Sequence, residues 1–366
     1  MTDLRPSATS HTIAALILAA GKGTRMKSNT PKVLHSVLGR SMLEWAMDIV
    51  KKAGATDITL VLSSDVKPFE RLISHSRDVR IAVQKNQKGT GDAVAAAATA
   101  FKSAKASSWS AGQLLSGSPS PCEWVLICAG DTPAMTPQTI REFIASTLAS
   151  KRKLAVLGMN VPDPIGYGRL VRDKDNSLQK IVEERDADVV TKKIMLCNSG
   201  VVFARVEWLF ELLEGLSPNN SQNEYYLTDI FSASYAKGEP AHVFETIAAA
   251  EFAGVNDRKQ LAAMEQSMLS RRVDELMAHG VTLHKPESIY IEADVVVEPD
   301  VVIFPGACLR GASRVARHCV IGPAAYLEDT ILGAGVQVGA HAVLIRSKVA
   351  AEERVLPQAS FADAEL

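Results

Sequence analysis

The sequence predicts an α/β domain with a mainly parallel sheet, followed by a linker helix and a short parallel β-helix. Strand-like apolar runs alternate with helical patterns over residues 13–253, as in proteins whose parallel strands are joined by crossover helices. Residues 254–284 carry apolar side chains at helical spacing, which indicates a helix between two domains. Over residues 285–349 an apolar residue recurs about every six positions with small or turn residues between, and this repeat is typical of a parallel β-helix.

Length and composition are those of a globular protein large enough for two hydrophobic cores. Of 366 residues, 47% are hydrophobic and 22% are charged, which argues against a disordered or membrane-embedded chain. The net charge of -1 argues against non-specific binding to nucleic acid or anionic lipid. Five cysteines without CxxC spacing fit a reducing compartment rather than a zinc or disulfide framework. We therefore expect a cytoplasmic protein with no nucleic-acid or membrane partner.

The first domain is expected to begin after a polar, disordered N-terminus at residues 1–12. Its candidate strands are the runs ALILAAG, DITLVLS, VRIAVQ, EWVLICAGD, LAVLGMNV and LCNSGVVFARV. SMLEWAMDIVKKAG and TGDAVAAAATAF have helical spacing, and the first ends in a glycine suited to a C-cap. Residues 104–121 interrupt this alternation with a stretch rich in Ser, Gly and Pro. That stretch predicts a flexible surface insertion, with a lid as the alternative.

The β-helix is expected to contain roughly three coils, because three short strands close one coil. Such a short stack leaves its ends and faces open. By analogy with left-handed β-helix proteins, we expect a homotrimer. Residues 350–366 are expected to form a polar tail beyond the last coil.

A glycine-containing turn after the first strand is the strongest functional signal. The apolar run Ile13–Ala20 ends in Gly21-Lys22-Gly23-Thr24-Arg25, where the glycines let backbone N–H groups approach an anion. The spacing is neither that of a P-loop nor that of G-x-G-x-x-G. Lysine and arginine side chains around the turn can neutralise a triphosphate, so the turn predicts a phosphate-binding loop.

The string LAAGKGTRM followed by PKVLH resembles the signature of the sugar-nucleotide pyrophosphorylases. Within that group it is most similar to the bacterial N-acetylglucosamine-1-phosphate uridylyltransferases, and the resemblance extends over about residues 13–345. It implies a Rossmann-like (GT-A-like) nucleotidyltransferase domain followed by a short left-handed parallel β-helix. The implied reaction makes UDP-N-acetylglucosamine, a peptidoglycan precursor, and pyrophosphate from UTP and N-acetylglucosamine 1-phosphate.

The resemblance assigns nucleotide contacts and phosphate contacts to two parts of the chain. Arg25 and Lys32 match the residues that contact the phosphates during transfer, and we predict them to be catalytic. Gln84 ends a strand, and its amide suits the edge of a uracil base. This chain has Asp92 in GTGDA, where relatives of the resembled type often have histidine. The predicted nucleotide-binding residues are Leu18, Ala19, Ala20, Gly21, Gly23, Gln84, Gly89 and Thr90.

A magnesium site is implied by two oxygen-bearing residues. Asp131 ends the strand in LICAGDTP, where a carboxylate can hold Mg²⁺ between phosphates. In the resembled family the matching aspartate is a metal ligand, and its partner is the asparagine that corresponds to Asn256 in GVNDR. Mg²⁺ is therefore the cofactor that the resemblance implies.

Sugar recognition is assigned to four positions that share an ability to bond hydroxyl or acetamido groups. Glu183 and Asn198 offer polar side chains, whereas Glu184 is expected to face solvent. Tyr225 lies in NEYYLTDI and is a further candidate for the pocket wall. The predicted sugar-binding residues are Gly168, Glu183, Asn198 and Thr228.

Two other functions are left open by the sequence. Asp92 keeps another sugar-1-phosphate uridylyl- or thymidylyltransferase possible, with UDP-glucose or dTDP-glucose as product. A non-catalytic trimeric scaffold is the alternative from a different class. No acetyltransferase activity is expected, because His318 and His341 do not stand in the family's acetyltransferase motif and are interpreted as corner residues of the β-helix.

Overall fold

Residues 11–75, 79–105, 107–110 and 112–366 are described by a computed structural model of the protein. Among them, one unit holds the residues up to His35 together with Met42–Asn256, and the other holds Ser36–Ser41 with Asp257–Leu366. The sequence predicts disorder over residues 1–12. Residues 1–10 of that segment lie outside the described residues.

The first unit is built on β-strands and helices that alternate along the chain. Its helices are α1 Met42–Lys52, α2 Glu70–His75, α3 Thr90–Ala96, α4 Pro137–Ser150, α5 Val206–Glu214 and α6 Asp229–Ala236. Numbered with the short pair β2 Ser36–Val37 and β3 Arg40–Ser41 of the second unit, its strands are β1 Ile13–Leu18, β4 Asp57–Ser63, β5 Val79–Gln84, β6 Gln113–Ser116, β7 Trp124–Ala129, β8 Leu154–Asn160, β9 Arg169–Arg172, β10 Leu178–Val182, β11 Leu196–Arg205 and β12 His242–Thr246.

These strands form one mixed sheet in the order β10-β9-β11-β7-β1-β4-β5-β6, with β8 paired to β11 and β12 paired to β8. The centre is parallel, because β1 pairs in parallel with both β4 and β7, and β4 with β5. The carboxyl ends of β1, β5 and β7 therefore meet at one edge. In parallel sheets this edge is where ligands bind.

Apolar residues on both faces of the sheet form its two core layers. Alternate residues of β1 point to opposite faces, so Ala15 and Ile17 pack with α1 and α4, whereas Ala14 and Leu16 pack with α3 and α5. Strands buried on both sides are typical of a doubly covered parallel sheet. This burial is the physical reason for the near-continuous apolar runs in the sequence.

The insertion at residues 104–121 is partly structured where it is described. Gln113–Ser116 forms β6, which pairs antiparallel with β5 at the sheet edge. The Trp109 ring stacks on Tyr225 with centroids 3.9 Å apart and planes 2° apart. A purely flexible loop was expected over this stretch, so these contacts are a difference from the sequence prediction.

The second unit contains the β2–β3 pair, helix α7 Arg258–Ala278 and the strands of the β-helix. The Asp257 side chain caps α7 by accepting from the Gln260 N–H. The following strands are β13 Thr282–Leu283, β14 Tyr290–Ile291, β15 Val296–Val297, β16 Val302–Ile303, β17 Cys308–Arg310, β18 Arg314–Val315, β19 Val320–Ile321, β20 Tyr326–Glu328, β21 Ile331–Leu332, β22 Gln337–Val338, β23 Val343–Ile345, β24 Lys348–Val349, β25 Arg354–Val355 and β26 Ser360–Ala362.

These short strands stack into three parallel sheets: β13-β16-β19-β22-β25, β14-β17-β20-β23-β26 and β15-β18-β21-β24. Together with the α/β unit, this arrangement confirms the predicted fold class and is consistent with a left-handed β-helix. With five, five and four strands in the three sheets, the described residues form four complete coils and two strands of a fifth.

The prediction of about three coils over 285–349 and of a polar tail at 350–366 was wrong, because strands run from Thr282 to Ala362. The last coil was hidden by its polarity, since only one side chain in each short strand points inward. Val355 is buried, and Phe361 is half-buried beside the inward Leu344. The linker helix lies within the predicted 254–284 segment but begins at Arg258 and ends at Ala278.

Left-handed backbone conformations recur at the corners of the β-helix. His318 and His341 have φ angles of 62° and 58°, and Asp300 and Glu352 have similar values. Both histidines therefore are corner residues, as the sequence predicted.

None of the helices in the described ranges is long and apolar enough to cross a membrane.

Candidate active site

A cleft of about 470 Å³ lies at the edge of the sheet where β1, β5 and β7 end. The structure brings together there most of the residues that the sequence assigned to the nucleotide and its phosphates: Leu18, Ala19, Ala20, Gly21, Lys32, Gln84, Gly89, Thr90 and Asp131. Lys22 of the predicted phosphate-binding turn also lines the cleft. Lining residues that sequence reasoning missed are Val33, Gln87, Ala93, Ala129 and Glu224. Most of these lie within two positions of a candidate residue, and this proximity was the available signal.

The turn after β1 brings its backbone close to Lys32. Gly23 has φ 58°, and a Cβ built on it would lie 2.6 Å from the Cβ of Lys32. Any side chain at residue 23 would therefore displace Lys32, which explains the glycine. Arg25 is exposed on the short 3₁₀ turn Thr24–Met26. Neither Gly23 nor Arg25 is among the described residues that line the cleft, so their predicted ligand contacts stay predictions.

Lys32, Asp131 and Asn256 meet at this edge of the sheet. The Lys32 ammonium forms an ion pair with the Asp131 carboxylate and donates to Asn256 Oδ1 at 3.0 Å. The Val255 N–H donates to the Asp131 carbonyl at 3.0 Å, which holds the asparagine segment against the end of β7. Three residues far apart in sequence thus form one compact cation-binding group.

The two oxygen-bearing side chains fit a divalent metal. A lysine ammonium already stands between them, so the position accepts positive charge. Carboxylate and amide oxygens are the ligands that Mg²⁺ uses, with waters and phosphates completing its shell. Within the described residues no cluster of three or more His, Cys, Asp or Glu side chains could hold a metal. Because Asp131 and Asn256 supply only two oxygen ligands, they suit a metal whose shell is completed by waters and a phosphate-bearing ligand.

Gln84 and Gly89 form the part of the cleft that was assigned to the base. Gln84 Nε2 donates to Asp92 Oδ2 at 2.8 Å and to the Gly89 carbonyl at 3.1 Å. Gly89 has φ 107°, and a Cβ there would lie 2.5 Å from the Tyr225 carbonyl. The Thr90 hydroxyl accepts from the Leu227 N–H at 3.0 Å. The loop is therefore joined to the NEYYLTDI segment, an association that the sequence did not indicate.

The four predicted sugar-binding residues also come together. Thr228 Oγ1 donates to Glu183 Oε1 at 2.9 Å, and the Asn198 N–H donates to the Gly168 carbonyl at 2.8 Å. A Cβ at Gly168 would lie 3.5 Å from Glu183 Oε2 and 3.6 Å from the Asn198 Cβ. Burial raises the pKa of Glu183 above its ordinary value, and the nearby Asp229 and Asp186 raise it further, against the lowering effect of the Thr228 hydrogen bond.

Glu184 does not face solvent as expected. It pairs at 2.7 Å with the guanidinium of Arg169, which is only 1% exposed. That guanidinium also donates to the Tyr167 carbonyl. Because a buried arginine needs a counter-charge, Glu184 supports the Gly166–Gly168 turn beside Glu183.

The cysteines near these residues are inert. Cys197 is buried and its pKa is raised by that burial, as expected for an unreactive thiol. Burial and the nearby Asp131 raise the pKa of Cys128 to about 12. Neither thiol is ionised near neutral pH, so neither serves as a nucleophile.

Comparison with known proteins agrees with this geometry. Residues 15–189 match the family described as MobA-like NTP transferase domain. A protein of Trichlorobacter lovleyi named bifunctional protein GlmU is 38% identical over 348 residues, which are 94% of this chain and 72% of that protein. Proteins of the same name from Clostridioides difficile and Alkaliphilus oremlandii are 35% and 36% identical, covering 94% and 92% of this chain and 71% and 69% of their own lengths.

Nucleotidyltransferases of this kind typically use a divalent metal, which agrees with the oxygen pair at Asp131 and Asn256. The cleft, the cation-binding group and the similarity over more than nine-tenths of this chain lead to the same assignment. The chain belongs to the GlmU family of nucleotidyltransferases, which confirms the resemblance to the bacterial N-acetylglucosamine-1-phosphate uridylyltransferases.

Proposed function

We propose that the protein joins UTP and N-acetylglucosamine 1-phosphate to form UDP-N-acetylglucosamine, a peptidoglycan precursor, and pyrophosphate. The observation that carries the proposal is the convergence of Lys32, Asp131 and Asn256 beside a cleft lined by a Gly-Lys turn. This arrangement supplies both the positive charge and the metal ligands that a nucleotidyl transfer requires.

In the proposed reaction an oxygen of the sugar phosphate attacks the α-phosphorus of UTP. The bond from that phosphorus to the bridging oxygen of the β-phosphate breaks, and pyrophosphate leaves with the bond electrons. Such a reaction needs alignment and charge neutralisation more than covalent help. Lys32 and backbone N–H groups of the turn neutralise and orient the phosphates, and Arg25 is proposed to join them when substrate is bound.

Mg²⁺ is the metal that we propose for this site, and when bound it would neutralise charge on the phosphates. Asp131 and Asn256 would hold it. The Lys32 ammonium contacts both of these side chains, and its positive charge would act together with that of the metal in neutralising the phosphates.

Sugar binding is proposed for the Gly168, Glu183, Asn198 and Thr228 group. The Glu183 carboxylate is oriented by Thr228 at 2.9 Å, and it can accept hydrogen bonds from sugar hydroxyls. The base is proposed to lie against Gln84, Gly89 and Thr90. Both groups belong to the first unit.

The proposed function is tested by measuring pyrophosphate release with Mg²⁺ and UTP. N-acetylglucosamine 1-phosphate, glucosamine 1-phosphate and glucose 1-phosphate are compared, and dTTP is compared with UTP. We expect the acetylated sugar and UTP to give the highest kcat/KM, and EDTA to abolish the reaction until Mg²⁺ is restored. No release with any pair of substrates would overturn the proposal, and a preference for glucose 1-phosphate would move the enzyme to another sugar nucleotide.

We also propose a homotrimer formed through the β-helix and a cytoplasmic location, which remain predictions from the sequence. The three parallel sheets of the β-helix fit the first proposal. Sedimentation equilibrium tests it: three times 39.3 kDa is the expected mass, and a monomer over the micromolar range would contradict it.

A further inference from the structure

We propose that Asp92 is a positioning residue that holds the Gln84 amide with its carbonyl oxygen toward the nucleobase. The inference rests on the proposed function, because it concerns the base that the cleft receives. It assigns a role to the residue at which this chain departs from the related GTGHA pattern. The proposal also gives the insertion at 104–121 a function.

Asp92 is buried and multiply bonded although it carries no contact to the cleft itself. It lies in the first turn of α3 and is 3% exposed. Its Oδ2 accepts from Gln84 Nε2 at 2.8 Å and from the Lys88 N–H at 3.1 Å. Its Oδ1 accepts from the Ser110 hydroxyl at 3.2 Å. The carboxylate is therefore held by three separate donors.

These contacts determine which atom of the Gln84 amide faces the ligand. An amide nitrogen has two hydrogens, and Gln84 uses them on Asp92 Oδ2 and on the Gly89 carbonyl at 3.1 Å. Neither an ionised carboxylate nor a carbonyl can donate, so the reverse orientation of the amide would place oxygen against oxygen. Oε1 is the remaining polar atom of Gln84, which lines the cleft.

In the proposed placement N3 of the base lies opposite Gln84 Oε1, and an acceptor fixed there distinguishes nucleobases by whether N3 carries a hydrogen. Uracil and thymine carry a hydrogen on N3 and can donate to Gln84 Oε1. Cytosine has an unprotonated N3 with a lone pair, so two acceptors would face each other. A polar group left unpaired in this way typically weakens binding about 5- to 150-fold. Asp92 thus favours uridine or thymidine nucleotides over cytidine nucleotides without touching them.

The insertion supports the same arrangement from outside the sheet. Ser110 bonds to Asp92, and the neighbouring Trp109 stacks on Tyr225 at 3.9 Å. Tyr225 is joined to the base loop through its N–H, which donates to the Lys88 carbonyl at 2.7 Å, and its own carbonyl accepts from the Gly91 N–H at 2.7 Å. The insertion therefore braces the loop between Gln84 and Asp92 on two sides.

The test is a double-mutant cycle read as the ratio of kcat/KM for UTP to that for CTP, with N-acetylglucosamine 1-phosphate as second substrate. We expect Asp92→Ala to lower this ratio about tenfold, the equivalent of about one hydrogen bond. Asp92→Asn keeps an acceptor toward Gln84 and should stay within about twofold of wild type. In a Gln84→Ala background, Asp92→Ala should leave the ratio unchanged, since a residue that acts through another shows no effect without it.

A second pair keeps the inference testable if Asp92→Ala does not fold. Gln84→Glu places two carboxylates together and should lower the UTP kcat/KM. Adding Asp92→Asn removes that repulsion and should recover part of the loss, since the Gly89 carbonyl and the Lys88 N–H still lack the partners they have in the wild type. Equal losses of kcat/KM for UTP and CTP in Asp92→Ala would overturn the inference. So would the same change in the ratio with and without Gln84. In both cases, wild-type activity with UTP would still uphold the proposed function. A wild-type enzyme that uses no uridine or thymidine nucleotide would instead overturn the proposed function.

Discussion

Left-handed backbone conformations occur in both units of the molecule, but the two units use them differently. In the α/β unit, Gly23 and Gly89 have positive φ. A Cβ on Gly23 would lie 2.6 Å from the Lys32 Cβ, and a Cβ on Gly89 would lie 2.5 Å from the Tyr225 carbonyl oxygen. In the β-helix the corresponding conformations belong mostly to residues with side chains, such as His318 and His341.

This difference between the units indicates under which conditions a left-handed backbone position requires glycine. A non-glycine residue in the left-handed region loses roughly 1–2 kcal/mol, which a regular stack with many repeated contacts tolerates. A close approach to another residue's Cβ or backbone is not tolerated, because those atoms cannot move away independently. At the site, glycine is required because any side chain would collide with a neighbouring residue. At the corners of the β-helix only the left-handed backbone conformation is required, and residues with side chains can adopt it at a small cost in stability.

The two units also differ in whether a ligand can reach their hydrogen-bonded polar side chains. Ser313 and Thr330 are buried in the β-helix and bond to each other and to carbonyls of the coil, for example Ser313 Oγ to the Arg310 carbonyl at 2.7 Å. In the first unit, Lys32, Gln84 and Glu183 also have protein partners, but they lie at a cleft or beside a turn where a ligand can compete. We therefore expect substitutions at the cleft to change activity and substitutions in the β-helix to change stability alone.

The largest effect is expected for Lys32→Met, compared with Lys348→Met in the β-helix. Removing the Lys32 charge should lower kcat about 100- to 1,000-fold, as for other groups that stabilise transition-state charge. Lys348 is exposed and forms only a 3.4 Å pair with Glu365, so its loss should leave kcat unchanged. Steady-state pyrophosphate release and thermal melts measure both. Retained activity in Lys32→Met would contradict the assignment.

The next effect is expected for Gly23→Ala, compared with Gly306→Ala. The alanine at 23 must displace Lys32, so kcat/KM should fall about 100-fold, as for misplaced catalytic groups. Gly306 also has a positive φ of 76°, but its nearest neighbour would be 3.6 Å away. Gly306→Ala should cost about 1–2 kcal/mol of stability and no activity. Equal activity of the two variants would remove the distinction between the site, where a side chain would collide, and the corners, where it would not.

Glu183→Gln should raise the KM for the sugar phosphate about tenfold, through loss of hydrogen bonds to a charged acceptor. Its pKa is raised in the folded state, so the folded protein holds this proton more strongly than the unfolded chain. Stability is therefore lost as pH rises from the ordinary value of 4.5 through the raised pKa.

The same linkage makes Glu183→Gln a test of stability as well as of binding. Chemical denaturation between pH 4 and 8 should show the variant gaining stability relative to wild type as the pH rises. Wild-type KM for the sugar phosphate should increase as the pH falls through the raised pKa. A variant that loses stability at neutral pH and keeps its KM would show that Glu183 has a structural role only.

The smallest effect is expected for His318→Gly. Glycine relieves the left-handed conformation at φ 62° but gives the unfolded chain more freedom, so the free energy of unfolding should change by less than about 1 kcal/mol. Pyrophosphate release should not change. The conservative control is His318→Asn, since asparagine tolerates this conformation, and a loss of activity in either variant would contradict the corner interpretation.

Much of the fold was predictable, since apolar runs and six-residue repeats directly reflect burial in a parallel sheet and a β-helix. The last coil was not predictable from polarity. Its strands are two or three residues long, and they bury little: Arg354–Val355 buries only Val355, and Ser360–Ala362 has only a half-buried Phe361. This is too little apolar sequence to separate a coil from a polar tail.

The candidate site was also predictable only in part. Local sequence determined the phosphate-binding turn, because its glycines and basic residues are adjacent in the chain. Resemblance to a family added Asp131 and Asn256, and the structure brings both to Lys32 across 99 and 224 residues. Only the tertiary structure decided the part played by Asp92. In the sequence it is one departure from a pattern, whereas its hydrogen bonds to Gln84 and Ser110 depend on β5, α3 and the insertion packing together. Side-chain orientation at a site is set by partners distant in sequence, and a local pattern contains no record of them.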